Sequence, residues 1–121
     1  MLSQPYTAAY GTTKHAAIGF AESLAITHGD AGIRVSCLCP QAVNTRMIAA
    51  LMEQEGGFSA AVDGVMNVED LAEAVIEGLA EESFLILPHA EVEQYRQNKA
   101  ASYDRWIGGM KKLRRHLDAG Q

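Results

Sequence analysis

The chain has 121 residues, the length of one domain, and 48% of them are apolar, which is enough to form a core. Its net charge of −5 is unevenly spread, because residues 1–90 carry three basic and eleven acidic side chains whereas residues 91–121 carry seven basic and four acidic ones. Nucleic-acid binding needs a broad basic face, so an acidic body of this kind excludes it as the main function.

Two features of the sequence concern the cellular compartment. No run approaches the roughly 18 apolar residues of a membrane span, and the first residues lack the basic region and apolar run of a signal peptide. Cys37 and Cys39 have C-x-C spacing, which is typical of neither a redox motif nor a metal site, and we interpret them as buried thiols of a core strand. We therefore expect a cytoplasmic protein with no membrane span and no metal.

The first predicted elements are a long helix and an apolar strand. Small and apolar residues recur at helical spacing over 8–28, and Gly29 begins the turn chemistry that ends this helix. Residues 33–39 are apolar at most positions, which is typical of a strand buried on both faces, and Pro40 ends this strand.

The middle of the chain returns to helical patterning. Asn44 or Thr45 can cap a first helix, and Asn67 can cap a later one. The predicted helices and strand span 46–54, 59–65, 68–82 and 84–87. The order strand, helices, strand is a β-α-β crossover, so the two strands should be parallel. A sheet of only two strands would leave its edges open, so the apolar first strand should have a further neighbour that these residues do not supply.

The last part of the chain, 91–117, predicts a long amphipathic helix. Gly108 and Gly109 weaken this helix midway, and four basic residues cluster at its carboxyl end, where cations suit the helix dipole.

A tyrosine and a lysine four residues apart, Tyr10 and Lys14, are the strongest indication of chemistry. Positions i and i+4 share one face of a helix, so the phenol and the ammonium should lie together. A cation beside a phenol favours the phenolate, which makes Tyr10 a candidate proton donor or acceptor near neutral pH.

The spacing alone is weak evidence, since it recurs at Tyr95 and Lys99 in a strongly charged stretch. There we predict that Tyr95 packs on the apolar stripe of its helix and that Lys99 is solvated. The residues that follow Tyr10 and Lys14 distinguish this pair from Tyr95 and Lys99.

Tyr10-x-x-x-Lys14 is followed by the strand at 33–39 and then by Pro40-Gln41-Ala42-Val43-Asn44-Thr45. Together these residues resemble the C-terminal half of a short-chain dehydrogenase/reductase, whose pattern is Y-x-x-x-K and then a strand ending in P-G-x-V-x-T. The resemblance implies an α/β, partial Rossmann-like, doubly wound fold whose N-terminal cofactor-binding half is missing. It implies a single partial domain over 1–121, with the family half in 1–90 and an amphipathic extension in 91–121.

By this resemblance, the reaction interconverts a carbonyl and an alcohol on a small-molecule substrate by hydride transfer with NAD or NADP. Tyr10 would be the general acid/base, and Lys14 would assist it and hold the nicotinamide ribose. The loop residues implied to contact the cofactor are Pro40, Ala42, Val43 and Thr45.

A mobile flap over the substrate is implied at 46–65. Its apolar residues Met47, Ile48, Leu51 and Met52 could line the substrate pocket, or they could simply pack the flap.

The sequence departs from the family pattern at several points. Gln41 stands where glycine is usual, and the glycine-rich turn that cradles the pyrophosphate is absent from these residues. The family's catalytic serine should lie about a dozen residues before Tyr10, a register that Ser3 does not match.

Two functions therefore remain open at this point. One is a fragment of an oxidoreductase that does not catalyse by itself. The other is a non-catalytic dimerisation or interaction module, because the helix bearing the Tyr-Lys pair commonly packs against its twin in this family, so we expect a homo-oligomer.

Overall fold

The computed structural model describes residues 2–46, 48 and 64–119. Helices predominate around one short pair of parallel strands. In chain order the elements are α1 (Ala8–His28), a 3-10 turn (Gly29–Ala31), β1 (Cys37–Leu38), α2 (Val68–Ala80), β2 (Leu85–Ile86), α3 (Glu91–Ala101) and α4 (Tyr103–Ala119). The predicted helices at 46–54 and 59–65 lie mostly outside the described residues. No helix among the described residues is long and apolar enough to cross a membrane.

Helix α1 has the bounds that the sequence predicts. The 3-10 turn after it ends at Gly32, whose φ of +82° lies in the left-handed region that favours glycine. No residue of α1 is buried, and Phe20 and Ile26 are 67% and 77% exposed. Large apolar residues of α1 are therefore left uncovered by the rest of the described chain.

The sheet is a parallel pair in which Cys37 lies opposite Leu85. The Cys37 N–H donates to the Phe84 carbonyl at 2.6 Å, and the Cys39 N–H donates to the Ile86 carbonyl at 2.9 Å. Because α2 lies between the two strands in the chain, the predicted β-α-β order with parallel strands is confirmed.

Both strands are shorter than predicted. β1 covers two residues instead of 33–39, and Ile33 and Leu38 are exposed, so the prediction of a strand buried on both faces was wrong. The physical reason is that, in the described part of the chain, β1 has one neighbour, and that neighbour is itself two residues long. The short neighbour explains the short strand, whereas the two faces of a strand are covered by helices packed on the sheet, and α1 has no buried residue.

Helix α2 begins as predicted, because the Asn67 side chain accepts a hydrogen bond from the Asp70 N–H at 2.8 Å. It ends two residues earlier than predicted. Glu82 has a φ of +53°, a left-handed conformation that terminates a helix. Arg34 ties this turn to the segment before β1 through an ion pair of 2.7 Å with Glu82.

The predicted single helix over 91–117 is two helices, with the break at Ser102 and not at Gly108 and Gly109. The φ of Ser102 is −161°, which is extended backbone, and its hydroxyl accepts a bond from the Arg105 N–H at 3.4 Å. Ser102 therefore caps α4 at its amino end. The two glycines continue as helix.

Contacts between side chains hold α3 against α4. The rings of Tyr95 and Trp106 lie 6.3 Å apart and are tilted by 50°. The Lys99 ammonium lies 5.3 Å from the centre of the Tyr103 ring, and residue Lys99 is half-buried, so it is less solvated than predicted. An aromatic face attracts a cation, which explains this placement.

Few of the described residues are buried, and most of these lie near the carboxyl ends of the two strands. They are Ala42, Val43, Ile48, Gly78, Ile86, His89 and Val92. This edge of a parallel sheet is where α/β proteins bind ligands.

Candidate active site

The structure brings Tyr10 and Lys14 together near the start of α1. The Lys14 ammonium lies 5.4 Å from the centre of the Tyr10 ring, over its face, and Tyr10 is 62% exposed. The i, i+4 spacing places both on one side of the helix. A phenol and a cation therefore share an open, solvent-accessible position.

The segment before α1 folds back against the helix start. The Thr7 hydroxyl donates to the Gln4 carbonyl at 3.0 Å, and the Tyr6 hydroxyl donates to Asp118 on α4 at 2.6 Å. This hydrogen bond is the main reason why the pKa of Tyr6 is raised. The hydrogen bond between Tyr6 and Asp118 therefore links the segment before Tyr10 to α4.

Two backbone hydrogen bonds to Met66 hold the loop after β1. The Met66 N–H donates to the Ala42 carbonyl at 3.0 Å, and the Asn44 N–H donates to the Met66 carbonyl at 2.8 Å. These bonds make a parallel bridge between Val43 and Met66. In such a bridge the peptide groups of Val43 itself point away from Met66.

Thr45 ends this loop. Its hydroxyl oxygen accepts a hydrogen bond from the Ile48 N–H at 3.3 Å. A threonine hydroxyl has one proton to donate besides its acceptor sites. Thr45 can therefore cap the following backbone and still donate to a ligand.

The remaining predicted site residues divide into two groups. Pro40 is exposed, and Ile48 is buried at the end of the loop. Met47, Leu51 and Met52 lie outside the described residues. No hydrogen bond or ion pair within the described part of the chain joins the Tyr10–Lys14 pair to the loop.

His89 is a residue that the sequence reasoning missed. It is only 6% exposed, and its Nδ1 accepts a hydrogen bond from the Gln41 N–H at 3.2 Å. Since an accepting Nδ1 carries no proton, a neutral ring is protonated on Nε2. That Nε2 is buried without a hydrogen-bond partner in the described part of the chain.

A signal in the sequence could have found His89. It follows Pro88 shortly after the end of β2, just as Pro40 begins a loop shortly after the end of β1. The carboxyl ends of parallel strands meet at one edge of the sheet, so a polar residue following the second strand should face the loop that follows the first.

The two cysteines are half-buried, less than predicted, with sulfur atoms 3.9 Å apart. Burial, and then the neighbouring Cys37, raises the pKa of the Cys39 thiol to about 11. Cys39 is therefore a thiol and not a reactive thiolate at neutral pH. Among residues 2–46, 48 and 64–119, no cluster of three or more potential ligands could hold a metal ion.

Comparison with known families confirms the resemblance drawn from the motifs. The model of the short chain dehydrogenase family matches residues 1–56, a range that holds the Tyr10–Lys14 pair, β1 and the loop after it. This part of the chain therefore belongs to the short-chain dehydrogenase family.

Several curated relatives are oxidoreductases. The chain is 35% identical over 85 residues to 1-deoxy-11-beta-hydroxypentalenate dehydrogenase of Streptomyces exfoliatus, covering 70% of this chain and 30% of that protein. It is 39% identical over 54 residues to oxidoreductase UcpA of Escherichia coli K12, covering 45% and 20%. It is 34% identical over 80 residues to the mitochondrial borneol dehydrogenase of Lavandula x intermedia, covering 66% and 31%.

The chain thus spans no more than about a third of the length of these relatives. No solved structure matches it significantly.

Proposed function

We propose that this chain is the proton-transferring part of an NAD(P)-dependent oxidoreductase that interconverts a carbonyl and an alcohol. The observation that carries the proposal is the ammonium of Lys14 beside the ring of Tyr10. The family match over residues 1–56 supports an oxidoreductase, and relatives named as dehydrogenases support a small-molecule substrate. From the family resemblance we also expect a cytoplasmic homo-oligomer.

Tyr10 and Lys14 have the central roles in this proposal. Tyr10 gives its phenolic proton to the carbonyl oxygen in reduction and takes it from the hydroxyl in oxidation. Lys14 stabilises the phenolate by its charge and offers hydrogen bonds to ribose hydroxyls. A bound nicotinamide would supply or accept the hydride.

The loop after β1 fits the cofactor that the family implies. The peptide groups of Val43 point away from their bridge partner, and Thr45 keeps a proton to donate, so both can meet a carboxamide. Pro40 and Ala42 would lie against the nicotinamide ring. The buried, unpartnered Nε2 of His89 is a further donor at this edge of the sheet.

The test is a titration of the isotope-labelled 121-residue chain with NADH and NADPH, followed by nuclear magnetic resonance. We expect weak binding, with signals shifting at Tyr10, Lys14 and 42–45. Lys14→Ala should abolish these shifts, whereas Lys112→Ala, a change of equal charge on α4, should retain them.

Shifts confined to other residues, or unchanged in Lys14→Ala, would overturn the cofactor site. We further propose that these residues alone do not catalyse, because hydride transfer needs both reactants held in near-attack geometry. Carbonyl reduction by this chain alone would refute that part of the proposal.

An interaction module is the second candidate. The observation that favours it is the exposure of Phe20 and Ile26 on α1, since large exposed apolar side chains on one element often mark an interface. Sedimentation of the pure chain decides between association and a monomer.

A further inference from the structure

A groove of about 370 Å³ runs between the segment before α1 and the helices α3 and α4. It is distinct from the loop after β1 and from the core beside it. The residues on which the argument depends are Ser3, Lys99, Tyr103, Trp106, Lys111 and Arg114.

The floor of this groove is apolar and aromatic. Trp106 is half-buried, whereas Tyr103 and Ile107 are exposed although both are large. Exposed apolar side chains gathered in a concave site are typical of ligand binding. The floor therefore suits the apolar body of a small molecule.

The charged residues that line the groove are all basic. Lys99, Lys111 and Arg114 line it, and none of the described residues lining it is acidic. Arg114 is paired with Asp118, but at 3.5 Å and with both side chains about half exposed, so that pair is weak. The groove keeps a net positive charge beside its aromatic floor.

We propose that this groove binds an apolar molecule that carries a carboxylate. The aromatic floor contacts the apolar part of this molecule, and Lys111 and Arg114 bind its carboxylate. A guanidinium and a carboxylate have matching hydrogen-bond geometry, which gives the anion a defined place.

The groove lies close to the start of α1. Ser3 lines the groove, and its hydroxyl oxygen is 3.9 Å from where a side chain on Gly11 would begin. Gly11 follows Tyr10 in the chain. A role of the ligand as the substrate would rest on the proposed function, whereas its binding to the groove does not.

Trp106 makes a direct binding experiment possible, because it is the single tryptophan of the chain. We would titrate the 121-residue chain with decanoate, below its micelle concentration, and follow the tryptophan fluorescence. Decanol is the matched ligand with the same apolar length and no charge. Decanoate should shift the emission to shorter wavelength and bind about three- to tenfold more tightly than decanol.

Neighbouring basic residues supply matched control variants. Lys111→Ala and Arg114→Ala should each weaken decanoate about threefold or more and leave decanol unchanged. Lys112→Ala and Arg115→Ala remove the same charges from α4 outside the groove and should leave both ligands unchanged. Equal loss in all four variants would mean a general electrostatic attraction and would overturn the site.

Other outcomes are also decisive. Equal binding of decanoate and decanol would refute the anionic class, and an emission shift that depends on protein concentration without ligand would mean that a second copy fills the groove. Cofactor binding is measured separately, by the NADH and NADPH titration. Decanoate binding without cofactor binding would leave the groove in place and remove only its role as a substrate site.

Discussion

His89 and Gln41 show how one residue pair can hold the loop that follows β1. Gln41 replaces the glycine that is usual in this loop, and its N–H is bound by a buried imidazole. A peptide group that stays bound in a partly buried site keeps the loop in one conformation. Because this hydrogen bond uses the backbone N–H of position 41, it holds the loop whichever of the two residues stands there.

His89→Leu should loosen this loop because leucine offers no acceptor to the Gln41 N–H, whereas His89→Asn keeps an acceptor oxygen close to the position of Nδ1. We expect the Gln41 amide to exchange with solvent about three- to tenfold faster in the leucine variant, which corresponds to the net worth of about 0.5–1.5 kcal/mol of one hydrogen bond. Hydrogen exchange followed by nuclear magnetic resonance measures this. His28→Leu, at the exposed end of α1, is the control, and equal exchange in the Asn and Leu variants would contradict the assigned hydrogen bond.

Cys39 should react slowly with thiol reagents. A rise in the pKa from 9.0 to about 11 lowers the thiolate fraction at pH 8 by about a hundredfold. Iodoacetamide labelling, located by peptide mass spectrometry, should be correspondingly slower at Cys39 in the folded chain than in urea. Because the folded state holds this proton more tightly, stability should also fall as the pH rises from about 9 to 11.

At the scale of single residues, the sequence predicted local pairings and missed a distant one. The Tyr10–Lys14 contact follows from helical spacing, and the Asn67 cap follows from its place before two acidic residues. The Gln41–His89 bond joins residues 48 positions apart through a backbone amide. No side-chain pattern predicts which backbone amide a buried histidine will meet, so this bond needed the fold.

The contact between α2 and β2 depends on a glycine. A side chain added at Gly78 would begin 2.6 Å from Cγ1 and 2.8 Å from Cδ1 of Ile86, a buried strand residue. The close approach of helix and strand therefore requires the absence of a β-carbon. The glycine therefore helps to fix the position of β2 against α2.

Gly78→Ala should destabilise the fold by about 1–3 kcal/mol, since overpacking outweighs the gain in helix propensity. Gly108→Ala is the matched control, because Gly108 lies inside α4 with open space around its α-carbon, and there alanine should stabilise by about 0.5–1 kcal/mol. Urea unfolding followed by circular dichroism measures both. Changes of the same sign would show that the contact with Ile86 does not limit the packing.

The bounds of the helices were predicted correctly where they depend on residues that are close in the sequence. α1 and the start of α2 have their predicted bounds because periodicity and capping act within one turn. The strands were predicted too long because strand length depends on partners elsewhere in the chain. The break at Ser102 was missed because two glycines six residues later are stronger breakers by composition, although a serine followed by Asp104 is a valid helix start.

At the scale of the molecule, residues 2–46, 48 and 64–119 form little buried interior for the apolar content of the chain. Nearly half of its residues are apolar, yet α1 contributes no buried side chain and α2 also leaves Ile76 and Leu79 exposed. Apolar surface in such quantity favours association with further protein.

The pure chain should therefore self-associate at micromolar concentration. Phe20→Glu, on the exposed face of α1, should shift it towards the monomer by placing a charge in the contact. Ser23→Glu adds the same charge to the same helix without removing an apolar side chain and is the control. Sedimentation velocity measures the distribution, and a monomeric wild-type chain would contradict an interface on α1.

The hydrogen bond between Tyr6 and Asp118 joins residues 112 positions apart. The groove beside it is consequently made from two stretches that lie far apart in the sequence and meet only in the folded state. A molecule that binds the groove in the folded state alone should raise the melting temperature, by mass action on that state. Thermal denaturation thus becomes a screen for ligands of this site in which neither an assay nor a substrate has to be known beforehand.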